Sequence, residues 1–258
     1  MREAQKLKPN KALVIVLFVM LLCTSIAICF DMLIVSQIVK IVTVTLLFTF
    51  YFCQLNKMAN VFIVAFLVFF VGDAISVFEL GELSSKLSKV SYLGAYLLLI
   101  FVLLGKLKRV KFEGLVIIYL ILVLLLNSYF LYTLYEIAKS NFLDTTTLII
   151  YICHGITLIA LVYFSFAVYL STETAQSITF LLMAFCFVFS DVLHYICSMY
   201  VYFWIFEVFE NVLHTIGLFL LYKYVYDYYT NTNSEKRISF SDYFIPTTEE
   251  LRQISVNL

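Results

Sequence analysis

Apolar residues run in eight blocks of close to twenty residues each, separated by short polar connections. A hydrocarbon core about 30 Å thick takes ~20 helical residues to cross, so blocks of this length suit a bilayer. The reading places helices at about Ala12–Phe30, Leu33–Cys53, Asn60–Phe78 and Val90–Gly105 in the first half. In the second half they fall at about Gly114–Tyr135, Thr146–Leu170, Ser177–Tyr200 and Phe203–Tyr226. Composition agrees, with 63% of the 258 residues hydrophobic and 13% charged, against roughly 45–50% and 25% in soluble domains. A secreted enzyme, a nucleic-acid binder, a disordered chain and a two-domain cytosolic enzyme are excluded. Two prolines and seven glycines favour uninterrupted helices over a barrel. The expected fold class is all-α, a polytopic bundle of eight transmembrane helices over residues 1–229. A short polar tail follows over 230–258, where Thr247 to Glu250 fits a capping box.

Charge orients the chain rather than choosing a partner. Seventeen basic residues balance seventeen acidic ones, so no net field draws the protein to nucleic acid. With the N-terminus inside, only Lys40, Lys86, Lys89 and Lys139 fall outside, and the other thirteen basic residues lie on the inner side. The positive-inside rule then makes both termini cytoplasmic, and the expected location is the bacterial inner membrane. The first apolar run is near full span length and no small-residue cleavage site closes it, so it is read as a retained span. Lys40, inside the second span, is expected to snorkel toward the interface. The six cysteines, all in apolar runs without a CxxC pair, read as small buried residues rather than a disulfide framework.

The polar residues inside the spans share one depth. At ~1.5 Å per residue, Asp73 and Asp191 each lie roughly 20 Å from the inner ends of helices three and seven. His154 and His214, on helices running the other way, reach a similar level, as do Asn127, Thr24 and Ser25. Glu207, Glu210, Asn211 and His214 follow i, i+3, i+4, i+7 and form one stripe. Asp191 and His194 share a face of helix seven, and Asp73, Ser76 and Glu79 share one on helix three. An acid facing lipid costs about 2.5–3.5 kcal/mol on insertion scales, so these stripes turn inward. Periodicity therefore predicts a polar pocket in the outer half, lined by helices three, six, seven and eight. Glu79 and Glu207 also fit interfacial positions, His154 a packing role, and most Tyr and Phe lipid-facing belts.

Phe69-Phe70-Val71-Gly72-Asp73-Ala74-Ile75 is echoed by Phe187-Val188-Phe189-Ser190-Asp191-Val192-Leu193, four spans later. The two helices run the same way, as in a parallel repeat of two four-helix halves. Eight spans with Gly72-Asp73 in the third and Ser190-Asp191 in the seventh resemble the YhhN family of membrane proteins, which includes the lysoplasmalogenases. The resemblance covers most of residues 12–229. It departs in the fourth span, where the family often has a histidine followed by tyrosine and this chain has Tyr92 and Tyr96. In the last span Glu210, Asn211 and His214 stand where the family usually has a tyrosine and a glutamine.

The resemblance implies hydrolysis of the vinyl-ether bond of a lysolipid or other single-chain lipid, with Asp73 and Asp191 catalytic and no cofactor. Rate-limiting protonation at carbon leaves an oxocarbenium ion that water captures, so the chemistry needs one acid and one carboxylate. Two carboxyls in a poorly solvated pocket can divide those roles, as in glycosidases. His194, one turn from Asp191, favours an ionised Asp191 and leaves Asp73 as the acid. Asn127, His154, His194, Glu210, Asn211 and His214 complete the expected substrate pocket. Two alternatives stay open. His154, His194 and His214, with the acids, present zinc ligand types, although no HxxxH or HExxH spacing occurs. Paired intramembrane acids also suit a proton- or cation-coupled carrier.

Overall fold

The computed structural model describes residues 11–30, 32–53, 60–77, 81–107, 114–141, 144–199 and 203–244. They form eight helices: α1 (Lys11–Cys29), α2 (Leu33–Cys53), α3 (Asn60–Val77), α4 (Glu82–Leu107), α5 (Gly114–Asn141), α6 (Thr145–Thr172), α7 (Ala175–Met199) and α8 (Trp204–Phe244). Four stretches, Leu83–Leu107, Thr145–Thr172, Ala175–Ser198 and Trp204–Asp227, are long and apolar enough to cross a membrane. Four shorter apolar stretches, Leu13–Cys29, Ile34–Phe50, Asn60–Ser76 and Ile117–Thr133, belong to the other helices. Ile15, Phe18, Ile34, Phe101, Leu126 and Phe209 all point outward and are exposed. Water would penalise so continuous an apolar surface, and lipid would not.

Most predicted helix limits hold to within two residues, and the early start of α4 has a physical cause. α4 begins at Glu82, eight residues before the predicted Val90. Gly81, with φ +85°, turns the chain, and the Ser84 hydroxyl donates to its carbonyl at 2.8 Å. The first turns of α4 carry Ser84, Ser85, Lys86, Ser88 and Lys89, too polar for a hydropathy signal. α5 and α8 continue past their predicted ends, to Asn141 and Phe244. Glu79 and the capping-box residues Thr247 to Glu250 lie outside the described residues.

The packing order is a ring, α1–α2–α3–α4–α6–α7–α8, with α8 closing back on α1 and α5 packed on the outside of α6. One end of the ring is filled by Leu13, Leu47, Phe62, Leu103, Leu221 and Tyr224, all in one buried cluster. Near mid-depth Phe69 of α3 stacks on Phe187 of α7 with ring centroids 5.1 Å apart. Tyr96 and His214 close around that stack at 5.6 and 5.8 Å from Phe187. Between helices in lipid, close packing of this kind supplies much of the association energy.

Gly217 makes the stack possible, because a Cβ there would stand 2.8 Å from Phe187 Cε1. The ring cannot retreat, being fully buried and held on three sides. Gly217→Val is therefore expected to lower stability by about 1–3 kcal/mol through overpacking. Gly105→Val, which meets open space, should change little. Thermal unfolding of the two variants in detergent measures the difference, and equal midpoints would contradict the packing described.

Candidate functional site

The Gly-Asp and Ser-Asp pairs do separate jobs in positioning two acids. Gly72 leaves room for α4, since a Cβ there would lie 3.1 Å from Tyr92 Cε1. The Ser88 hydroxyl donates to the Gly72 carbonyl at 2.9 Å and clamps the two helices. Tyr92 can then donate its hydroxyl proton to Asp73 Oδ1 at 2.5 Å. His214 Nε2 lies 3.6 Å from the same oxygen. Asp73 Oδ2 has no hydrogen-bond partner, and the residue is only 1% exposed. On α7, the Ser190 hydroxyl donates to the Glu210 carbonyl at 2.9 Å and fastens α7 to α8. Asp191 Oδ2 accepts from the Tyr96 hydroxyl at 2.8 Å and lies 3.3 Å from His154 Nε2.

Each acid thus has one tyrosine and one histidine. The tyrosines are a turn apart on α4, so one helix face serves both carboxyls. Phe69 and Phe187, the stacked rings, precede Asp73 and Asp191 by four residues each. A third acid, Glu210, takes His194 Nδ1 at 3.2 Å and Lys40 Nζ at 3.8 Å through Oε1.

A cavity of about 970 Å³ opens at the end of the bundle where α3 meets α4 and α7 meets α8. Asp191, His154, His194, Glu210 and His214 line it. The wall also draws on α2, α4 and α5, beyond the four helices expected. Several expectations need correction. Asp73 does not line the cavity; Tyr92 and His214 do, and Asp73 sits one side-chain layer behind them. His194 pairs with Glu210 instead of Asp191, because its ring reaches across to α8. Asn127 donates to the Val123 carbonyl of its own helix, and its neighbour Ser128 faces the cavity. Asn211 is buried and donates to the Glu207 carbonyl, outside the cavity lining. Thr24 and Ser25 likewise bond back to carbonyls one turn earlier. Lys40 turns inward to Glu210 rather than snorkelling.

The three histidines are divided among three carboxylates, Asp191, Glu210 and Asp73. Among the described residues no three His, Cys, Asp or Glu side chains converge as a metal ion requires. The alternative three-histidine ligand set, His154, His194 and His214, is therefore not brought together among the described residues. Tyr92, Tyr96, Ser88 and Lys89 were not foreseen as site residues. Their signal is the four-residue step of Ser84, Ser88, Tyr92 and Tyr96, which puts hydroxyls on one helical stripe.

Beside the cavity mouth, Asp144 caps α6 by accepting from the Thr146 and Thr147 amides at 3.1 and 3.3 Å. Lys86 of α4 bonds its Oδ2 at 2.6 Å and ties α4 to α6. The Lys86 ammonium first, then the Thr147 hydroxyl and the Thr146 amide, hold the Asp144 carboxyl well below the usual carboxylate range. A depressed folded pKa adds stability that is complete above the unfolded value of about 4 and fades as pH falls toward the folded one. The melting-point advantage of the wild type over Asp144→Asn should accordingly shrink between pH 5 and the acid limit of folding. A constant gap would show that the tether is not ionic.

Comparison of the chain with protein-family models, with curated proteins and with solved structures finds no match.

Proposed function

We propose that the chain is an eight-span integral membrane hydrolase with cytoplasmic termini that cleaves the vinyl-ether bond of a single-chain lipid, in the manner of the lysoplasmalogenases. The observation that carries this reading is a pair of carboxyls, each with its own tyrosine and histidine, of which Asp191 lines the cavity and Asp73 lies directly behind the cavity-lining Tyr92 and His214. The cavity volume of about 970 Å³ suits a lipid-sized ligand, near the top of the roughly 300–1,000 Å³ typical of ligand sites. Leu131, Ile152, Leu158 and Val192 in its wall offer apolar surface to a hydrocarbon chain. Stacking of Phe69 on Phe187 at 5.1 Å, each one turn from its acid, supports the two-repeat plan.

The acid side works through Asp73. Tyr92 and His214 separate it from the cavity, so the proton reaches the vinyl carbon β to the ether oxygen by way of one of these two side chains. The C=C π pair forms the new C–H bond, and the ether oxygen shares its lone pair to give the oxocarbenium ion. Asp191 faces the cavity and stabilises that cation, the role preorganised charge performs best in a poorly hydrated site. Water then adds to the cationic carbon and loses its proton to the Asp191–His154 pair. The hemiacetal then collapses: the Asp191–His154 pair returns its proton to the headgroup oxygen as the C–O bond breaks, and the hydroxyl proton restores the acid at Asp73 through Tyr92 or His214. The products are a fatty aldehyde and a glycerol-based headgroup.

Purified protein in micelles should release aldehyde from a lysoplasmalogen and nothing from the matching ester lysolipid. Absence of aldehyde, together with solute uptake by sealed proteoliposomes, would replace this reading by the carrier. Loss of activity on chelation and its return with zinc would replace the metal-free scheme.

A further inference from the structure

Two lysines, Lys40 and Lys89, line the cavity, and among the described residues only Lys40 has an ion pair. Asp191 is engaged by Tyr96 and His154, and Glu210 by His194 and Lys40. Lys86 is bound to Asp144. Lys89, on the α4 wall, rests its ammonium over the face of Tyr151 at 3.4 Å from the ring centroid. Among the described residues it makes no ion pair within 4 Å. Lys89 and Asp191 line the same cavity, so the site shares the chamber of the reacting centre.

The ring accounts for one face of the ammonium. A lysine has three donors, and a cation–π contact satisfies none of them as hydrogen bonds. Ser85 lies one turn earlier on α4 and lines the same cavity. Its neighbours Ser84 and Ser88 spend their hydroxyls on carbonyls, whereas the Ser85 hydroxyl makes no hydrogen bond among the described residues. An ammonium and a hydroxyl at i and i+4, both facing a cavity and both with donors to spare, are a fit for a phosphate. A phosphate would give Lys89 the ion pair that it lacks among the described residues, whereas a neutral headgroup would not.

We infer that Lys89 and Ser85 form a phosphate subsite that selects single-chain lipids with an anionic headgroup. The inference rests on the proposed hydrolase reading only for the position of the scissile bond. A phosphate held here, beside Asp191, would place the three-carbon glycerol backbone of the lipid along the α4 wall. The vinyl ether at its far end would then meet Tyr92, His214 and Asp191.

The test uses saturated ethers, which vinyl-ether protonation cannot cleave, so binding is read without turnover. Full-length protein in uncharged micelles is titrated with 1-O-hexadecylglycerol 3-phosphate and with 1-O-hexadecylglycerol. The phosphate lipid should bind about ten- to a hundredfold more tightly, the range of a charge-assisted hydrogen bond. Lys89→Gln, which keeps a stem over Tyr151, should remove most of that ratio, Ser85→Ala part of it, and Lys89→Arg little. An unchanged ratio in folded Lys89→Gln overturns the inference; if that variant does not fold, an unchanged ratio in Ser85→Ala does so. Competition by millimolar inorganic phosphate would assign the site to the ion itself, and failure to compete would assign it to lipid-borne phosphate. A Lys89-dependent ratio without any aldehyde release from lysoplasmalogen would sink the hydrolase reading and leave the subsite. Aldehyde release with a ratio indifferent to Lys89 would do the reverse.

Discussion

Asp191→Asn is expected to lower aldehyde release from a lysoplasmalogen by about 10²–10⁴-fold, the range for loss of a general acid–base group, with the bundle still folded. The amide keeps the shape of the carboxyl, and its oxygen still accepts from the Tyr96 hydroxyl now at 2.8 Å. It loses the negative charge that faces the cavity, so neither the oxocarbenium ion nor the proton shed by water is accommodated. His154, 3.3 Å from Oδ2, also loses its charged partner. Retention of more than a tenth of the activity in a folded variant would remove Asp191 from the chemistry. Asp73→Asn acts one layer further back. If Asp73 supplies its proton through Tyr92, then Asp73→Asn and Tyr92→Phe interrupt one path, and the double variant should be no worse than the more severe single one. Independent, multiplying losses would mean that the two side chains act separately.

Much of this site was legible in the sequence because a bilayer makes polar residues conspicuous. Asp73, His154, Asp191, His194, Glu210 and His214 stand out within apolar runs, and their helical rise puts them at one depth. Periodicity gave the inward faces of α7 and α8, yet it could not choose partners. Asp191 and His194 share a face of one helix, but the ring of His194 reaches Glu210 on the next. Depth alone also overstated Asn127, which can satisfy its amide on its own α5 backbone. The largest omission was α4. Its polar first turns looked like a connection, because hydropathy cannot distinguish a loop from a helix whose serines and lysines face an internal cavity. Tyr92 and Tyr96 were visible only as a departure from the family pattern, whereas in the fold they bind the two acids.

Glu210→Ala is expected to produce the largest loss of stability among single changes at the cavity, about 2–3 kcal/mol. That figure lies below the roughly 3–5 kcal/mol of a fully buried broken pair. The discount is for solvent, since the Lys40 and His194 side chains are 26% and 50% exposed. Glu210 is the meeting point of three helices, with Lys40 from α2, His194 from α7 and its own α8. Removing it leaves a lysine charge eight residues into α2, in a helix with no other charged side chain, without the Glu210 carboxylate as its partner. The bond from the Ser190 hydroxyl to the residue 210 main-chain carbonyl survives the substitution, so α7 and α8 should stay together while α2 loosens. Lys40→Met in the Glu210→Ala background removes the stranded charge and should restore about half of the loss. Unfolding midpoints of the two single variants and the double variant in one detergent give the coupling directly. If Glu210→Ala melts with the wild type, or if Lys40→Met makes it worse, the three-helix junction is not held by this acid.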